Sequence, residues 1–293
     1  MNIQWYPGHM TKTRRQIEAD LGQVDMVAEI IDARIPISSR NPDIDELVGE
    51  KPRLIVLNRA DQADPQSNGR WSRFFRGKGF AVLETDAKTG KGVSGFAQAS
   101  RELLKEQMER WKAKGQVGRP IRAMVVGVPN VGKSTFINQV AKRKSAKAGD
   151  RPGVTRGKQW VTVDQGLALL DTPGILWPKF EDERVGMHLA YTGAVKDEIM
   201  DAETLACHLM DDLAMRYPMA LAERYKLKVV PRGEDESIIS YGYTLLEEAA
   251  GKRGFRVSGG EFDTERMAHI LLDEFRSGKL GHFTLELPEE GEK

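Results

Sequence analysis

The sequence predicts an α/β protein: a mainly parallel sheet with helices on both faces, built around a phosphate loop and followed by a mainly helical C-terminal domain. Three observations predict it. Up to about residue 180, short runs rich in Val and Ile alternate with longer stretches of helical apolar spacing. The segment Gly127-Val-Pro-Asn-Val-Gly132-Lys133-Ser134 fits the pattern GxxxxGK[ST] between an apolar run and a helix-like one. Beyond residue 181 the strand signal fades and helical spacing remains.

Residues 24–31, 53–57, 80–83 and 123–126 read as short buried strands. Helical patterns over 65–76 and 93–114 separate them, and strands alternating with helices imply a parallel sheet covered on both sides. Residues 160–163 and 167–170 flank Gln165-Gly166 and read as a hairpin on that sheet. Helix-like spacing returns over 203–216, 243–252 and 264–275. We therefore expect two domains, residues 1–180 and 181–293, and a length of 293 residues agrees with about two.

Composition narrows the class. With 40% hydrophobic and 30% charged residues the chain reads as an ordinary globular protein. No apolar run approaches the roughly 18 residues that cross a bilayer, and the N-terminus lacks the pattern of a secretory signal. A single cysteine, Cys207, excludes an internal disulfide and fits a reducing cytoplasm. Cys207-His208 has no second pair nearby, so a core role is expected rather than a metal site. Net charge is +1, but residues 105–158 hold 14 Lys/Arg against 3 Asp/Glu, whereas residues 159–293 are acidic, with 15 against 26. Such a basic stripe attracts phosphate, and part of it serves the phosphate loop itself.

In that loop, Asn130, Val131, Gly132, Lys133, Ser134 and Thr135 would form the cradle. Glycines let backbone N–H groups turn toward phosphate oxygens, and the helix N-terminus adds positive dipole. Lys133 would reach the outer phosphates and Ser134 would place its hydroxyl on Mg2+. Asp171-Thr-Pro-Gly174 ends the next apolar strand; Asp171 can hold the magnesium through water, and the Gly174 N–H can approach the terminal phosphate. Between them, Thr155 in Arg151-Pro-Gly-Val-Thr155-Arg156 is the natural second hydroxyl ligand to the metal.

A phosphate loop does not identify the base. Asn58-Arg59-Ala60-Asp61 follows the second strand and resembles the NKxD element of GTPases, in which Asp accepts two donors from the guanine edge; adenine offers no such pair. Arg59 replaces the usual Lys and can also stack on a flat ring. The next strand ends in Thr85-Asp86-Ala87-Lys88, which resembles the SAK element with Asp86 in place of Ser; there the Ala87 N–H would meet the guanine carbonyl. Both base readers precede the phosphate loop, the reverse of the usual order. A parallel sheet tolerates this, because each motif still sits at a strand's carboxyl end.

This order, together with Trp5-Tyr-Pro-Gly-His9-Met10 near the start, resembles the circularly permuted GTPases of ribosome biogenesis over residues 1 to about 180. The resemblance implies GTP as substrate, GDP as product, and a role in late assembly of the large ribosomal subunit, whose RNA such proteins bind. It implies hydrolysis that is slow alone and faster on the particle. Apolar Ile175 follows Gly174, where many GTPases carry a water-orienting Gln, and the resemblance points instead to His9 as the group that positions water. Asn130 resembles the Asn by which some GTPases recruit K+. Lys12, Arg14 and Arg15, and the group Lys142, Arg143, Lys144 and Lys147, read either as RNA contacts or as solvated helix faces. A monomer without membrane attachment is expected. The alternative functions are a nucleotide-dependent switch that binds RNA or protein with little hydrolysis, and an ATP-using phosphotransferase.

Overall fold

The computed structural model describes residues 9–145, 160–164, 166–177, 180, 182–195 and 201–289, without the side chains of residues 9, 142–145 and 164. Among the described residues, six strands form one sheet: β1 (Met26–Asp32), β2 (Arg53–Asn58), β3 (Ala81–Glu84), β4 (Ile121–Val126), β5 (Trp160–Asp164) and β6 (Leu167–Asp171). Their spatial order is β3-β2-β1-β4-β6-β5. Every neighbouring pair is parallel except β5 and β6, which form the expected antiparallel hairpin.

Helices fill the connections. α1 (His9–Leu21) precedes β1, and α2 (Pro42–Val48) lies between β1 and β2. α3 (Pro65–Gly77) leads to β3, α4 (Phe96–Leu103) and α5 (Lys105–Ala113) lead to β4, and α6 (Lys133–Ser145) follows the phosphate loop. β1 and β2 are buried at every position, which requires cover on both faces of the sheet. α3 and α4 pack on β2 and β3, and α6 packs on β5 and β6. Under α3, Trp71 and Phe75 stack on one another and meet Ile31, Ile55 and Leu57 from the sheet.

Local signals set the helix ends. Asn41 and Asp64 cap α2 and α3 by accepting from the second backbone N–H beyond them, each ahead of a Pro at the first helical position. The helical pattern over 93–114 does not become one helix. A single 3-10 turn opens it, and Leu104 leaves the helical angles at φ −103°, ψ 14° with its side chain buried, which divides α4 from α5.

The chain forms two compact units. Residues 9–177 and 286–289 belong to the sheet unit, and residues 180–285 to a helical unit. The latter contains α7 (Glu183–Tyr191), α8 (Ala202–Arg216), α9 (Pro218–Tyr225), α10 (Ile238–Arg253) and α11 (Thr264–Ser277). Its core joins Leu209 and Leu213 of α8 to Leu246 of α10 and Leu271 of α11, all fully buried. Gly242 lies against the Cys207 backbone, where an added Cβ would meet the Cys207 carbonyl oxygen at 2.2 Å, so α8 and α10 touch closely. Cys207 is part of this core, and burial pushes its thiol up to about 11. Around Glu274, Arg224 and Tyr225 of α9 and Arg253 of α10 converge on one carboxylate of α11.

Candidate nucleotide site

From β1 the chain winds outward through β2 to β3, whereas β4 lies on the other side of β1 and continues to β6 and β5. The direction reverses between β1 and β4, and ligands of such sheets bind at the carboxyl ends beside that reversal. Four described motif segments gather at this end. Asn58 closes β2, Thr85 follows β3, Gly127 follows β4, and Asp171 closes β6. The sequence order of these segments is scattered, yet the sheet makes them neighbours.

Asn58 ties three of them together. Its side-chain amide donates to the Val131 carbonyl in the phosphate loop at 2.9 Å. Its carbonyl oxygen accepts from the Thr85 hydroxyl at 3.2 Å and from the Ala87 N–H at 3.0 Å. Asn58 is 2% exposed, so these bonds are shielded from water. The fit is tight: at Gly132, with φ +100°, an added Cβ would stand 2.5 Å from the Asn58 amide nitrogen. Only glycine satisfies both the angle and the space there.

Arg59 makes a second bridge. With φ +58° it turns its guanidinium to the Asn130 carbonyl at 3.0 Å, and its Nε stands 3.6 Å from the Asp32 carboxylate. Burial pulls the Arg59 pKa down, and Asp32 pulls the other way. Asp32 itself is gripped by Arg34 through contacts of 2.9 and 2.7 Å. Burial alone would raise the Asp32 carboxyl; Arg34, then Arg59, outweigh it and hold it below the usual range. Sequence reasoning assigned no role to Asp32 or Arg34. The available signal was an acidic residue at the carboxyl end of a wholly buried strand, the same position that Asp171 holds on β6.

Asp61 is exposed beside this bridge, with its carboxyl raised by burial and by the charge of Asp86. Asp86 turns inward instead: one oxygen accepts from the backbone N–H groups of Lys88 at 2.8 Å and Thr89 at 3.1 Å, and the other from the Thr89 hydroxyl. It therefore shapes the loop that presents Ala87, while the Lys88 side chain is exposed.

At the phosphate end, Lys133 is buried and donates to the Gly127 carbonyl at 3.1 Å and the Val128 carbonyl at 2.8 Å. Burial lowers its pKa to about 8, although Asp171 acts to raise it. Ser134 and Thr135 are exposed in the first turn of α6. Asp171 Oδ1 is buried without a hydrogen-bond partner, and burial raises that carboxyl against the pull of Lys133. An orphaned carboxylate oxygen near the phosphate-loop lysine suits the water shell of a hydrated Mg2+ ion. Gly174 packs so closely on the phosphate loop that a Cβ would fall 2.7 Å from Pro129 Cα. Ile175 is fully buried and its N–H donates to the Gly127 carbonyl at 3.3 Å, so this residue anchors the loop. His9 opens α1, but its side chain lies outside the described residues, as do Thr155 and Lys147 and the side chains of Lys142, Arg143 and Lys144.

A parallel sheet with a phosphate loop at its reversal point and base-reading loops on the preceding strands defines a circularly permuted P-loop GTPase. A family model described as 50S ribosome-binding GTPase matches residues 122–239. The chain is 47% identical to Ribosome biogenesis GTPase A of Priestia megaterium, covering 100% of this chain and 99% of that one. It belongs to the ribosome biogenesis GTPase A family. Mitochondrial ribosome-associated GTPase 1 of Mus musculus is 36% identical, with 97% and 90% covered. Among solved structures, GNP-bound YlqF from T. maritima is similar at a TM-score of 0.62 and 28% identity, covering 95% of this chain and 99% of that one. GDP-bound YlqF is similar at 0.60 and 27%, with 94% and 100% covered.

Proposed function

We propose that this GTPase binds the large ribosomal subunit and hydrolyses GTP during its late maturation, in the cytoplasm and as a monomer. The observation that carries the reading is the Asn58 side chain, which joins both base-reading loops to the phosphate loop and so brings base and phosphate contacts into one site. Relatives named for ribosome biogenesis over the full length of the chain support the partner. Residues 1–180 would act as the GTPase domain. Residues 181–285 would serve as the helical domain that meets ribosomal RNA, by shape more than by charge, since this part of the sequence is acidic overall; the sequence-based bound of 293 is too long, because the chain rejoins the sheet unit at Glu286.

Within the site, Asp61 selects guanine by accepting from its two edge donors, and the Ala87 N–H meets its carbonyl in exchange for, or shared with, Asn58. Arg59 lies over the base face. The Lys133 ammonium moves from its own loop carbonyls to the outer phosphates, where it offsets charge developing on the leaving oxygens. Backbone N–H groups from Val131 to Thr135 hold the phosphates, and the Gly174 N–H meets the terminal one. Ser134, Thr155 and, through water, Asp171 would hold Mg2+, which would supply charge neutralisation on the phosphates. Asn130, at φ +57° beside the phosphates, would hold K+. His9 positions the attacking water, a task buried Ile175 does not perform.

The test is a GTPase assay with and without large ribosomal subunits, in K+ and in Na+ at equal ionic strength. Turnover should rise severalfold or more with subunits and be faster in K+. Turnover indifferent to subunits would contradict the assembly role and favour a switch with little hydrolysis.

A further inference from the structure

At Glu286 the chain leaves the helical unit and rejoins the sheet unit. Its carboxylate is 7% exposed and fully engaged there. One oxygen accepts from the Ile37 N–H at 2.6 Å; the other accepts from the Ser38 N–H at 3.1 Å and from the Ser38 hydroxyl. The Glu286 carbonyl accepts from the indole N–H of Trp71, a fully buried core residue, at 3.1 Å. A residue 248 positions away in sequence thus satisfies two adjacent backbone donors of the loop after β1.

That loop, residues 33–41, reaches both ends of the proposed nucleotide site. At its start, the Ser39 hydroxyl accepts from the Asp32 N–H at 2.9 Å and donates to the Ile35 carbonyl, which closes the loop onto the residue that faces Arg59. At its other end, Asn41 donates to the carbonyl of Ile175, directly after Gly174, at 3.4 Å. Ile37 and Ser38 lie between these two anchors. Charge-assisted hydrogen bonds in a buried setting are strong and directional, so the carboxylate fixes the middle of a loop whose two ends touch the base side and the terminal-phosphate side.

We infer that Glu286 is a positioning residue for guanine-nucleotide binding: it holds residues 37 and 38 and, through the loop they belong to, the placement of Arg59 and of the segment after Gly174. This rests on the nucleotide site proposed above. Glu286 touches no nucleotide atom in this account; it acts through backbone donors. Glu289, three residues on, pairs at the surface with Arg70.

The experiment measures release of a fluorescent GDP analogue by stopped flow, with melting temperature, for wild type, Glu286→Gln, Ser38→Ala and Glu289→Ala. Arg119→Met is added as a stability control, because Arg119 pairs with Asp25 ahead of β1 and away from the site. Coupling of this kind corresponds to about tenfold faster release in Glu286→Gln and about threefold in Ser38→Ala. Glu289→Ala should release at the wild-type rate, and Arg119→Met should lose melting temperature without faster release. Wild-type release in both Glu286→Gln and Ser38→Ala would overturn the inference while leaving the nucleotide site intact, and so would equal acceleration in Arg119→Met. A wild type that binds no guanine nucleotide would overturn both.

Discussion

Replacing Asn58 with Ala tests how the site is held together. The substitution removes one donor and one acceptor that serve three partners in a position 2% exposed to solvent. The Thr85 hydroxyl can rotate to another acceptor, so its bond at 3.2 Å counts for little. The Val131 carbonyl and the Ala87 N–H cannot rotate away. Each loses its partner in a buried setting, at a cost of about 1–1.5 kcal/mol apiece. The sum is about 2–3 kcal/mol, and it falls on the arrangement that brings the base loop against the phosphate loop. If that arrangement is the binding-competent one, GDP affinity drops by about 30- to 160-fold. Isothermal titration of wild type and Asn58→Ala with GDP, beside a thermal melt, measures it. Affinity within about twofold of wild type would refute the reasoning, because the loops would then assemble without their shared side chain.

Other consequences follow from single contacts. Lys133 has a native pKa near 8 against an ordinary value near 10.5, so the unfolded chain binds more protons between those values. Stability of the nucleotide-free protein should therefore rise as pH increases from about 8 to 10.5, and GTP binding near pH 9 should take up a fraction of a proton; calorimetry in two buffers of different ionisation enthalpy reads that uptake. In Gly174→Ala, the new Cβ would press on Pro129 backbone and stand 3.1 Å from the Lys133 amine. Single-turnover hydrolysis should fall at least about tenfold while GDP affinity changes by only a few-fold. Glu274 is held down to about 2 by Arg224, Tyr225 and Arg253 against the opposing pull of burial. Its folded pKa is depressed, so its contribution is present above about pH 4.5 and lost as pH falls toward 2. Glu274→Gln should destabilise the helical unit by about 2 kcal/mol at pH 7, with the difference from wild type shrinking in acid on urea titration.

Much of this architecture was legible because strands and loops announce themselves locally. The Val- and Ile-rich runs become β1, β2 and β4 with shifts of a residue or two, and the hairpin at Gln165-Gly166 joins β5 to β6. The phosphate loop and Asp171 were readable for the same reason: their chemistry is written in consecutive residues. What sequence did not reveal is partnership across distance. Asn58 reads as a base contact, and its side chain ties together two neighbouring loops; Asp86 reads as a substitute for Ser, and it folds its own turn. The Asp32–Arg34–Arg59 cluster depends on which strands are neighbours, and Glu286 depends on a return of the chain that no periodicity marks. The break at Leu104 was hidden because a buried leucine fits a continuous helical stripe as well as the bend that is found.

The central claim is that one guanine nucleotide spans from the base-reading loop to the phosphate loop, and Asp61→Asn tests it most directly. Titration of wild type and this variant with GDP and with xanthosine diphosphate should show preference passing from guanine to xanthine, because an Asn offers a donor where the carboxylate accepted two. Retention of the wild-type GDP preference, with phosphate-loop binding unchanged, would place the base somewhere other than beside Asp61 and contradict the account.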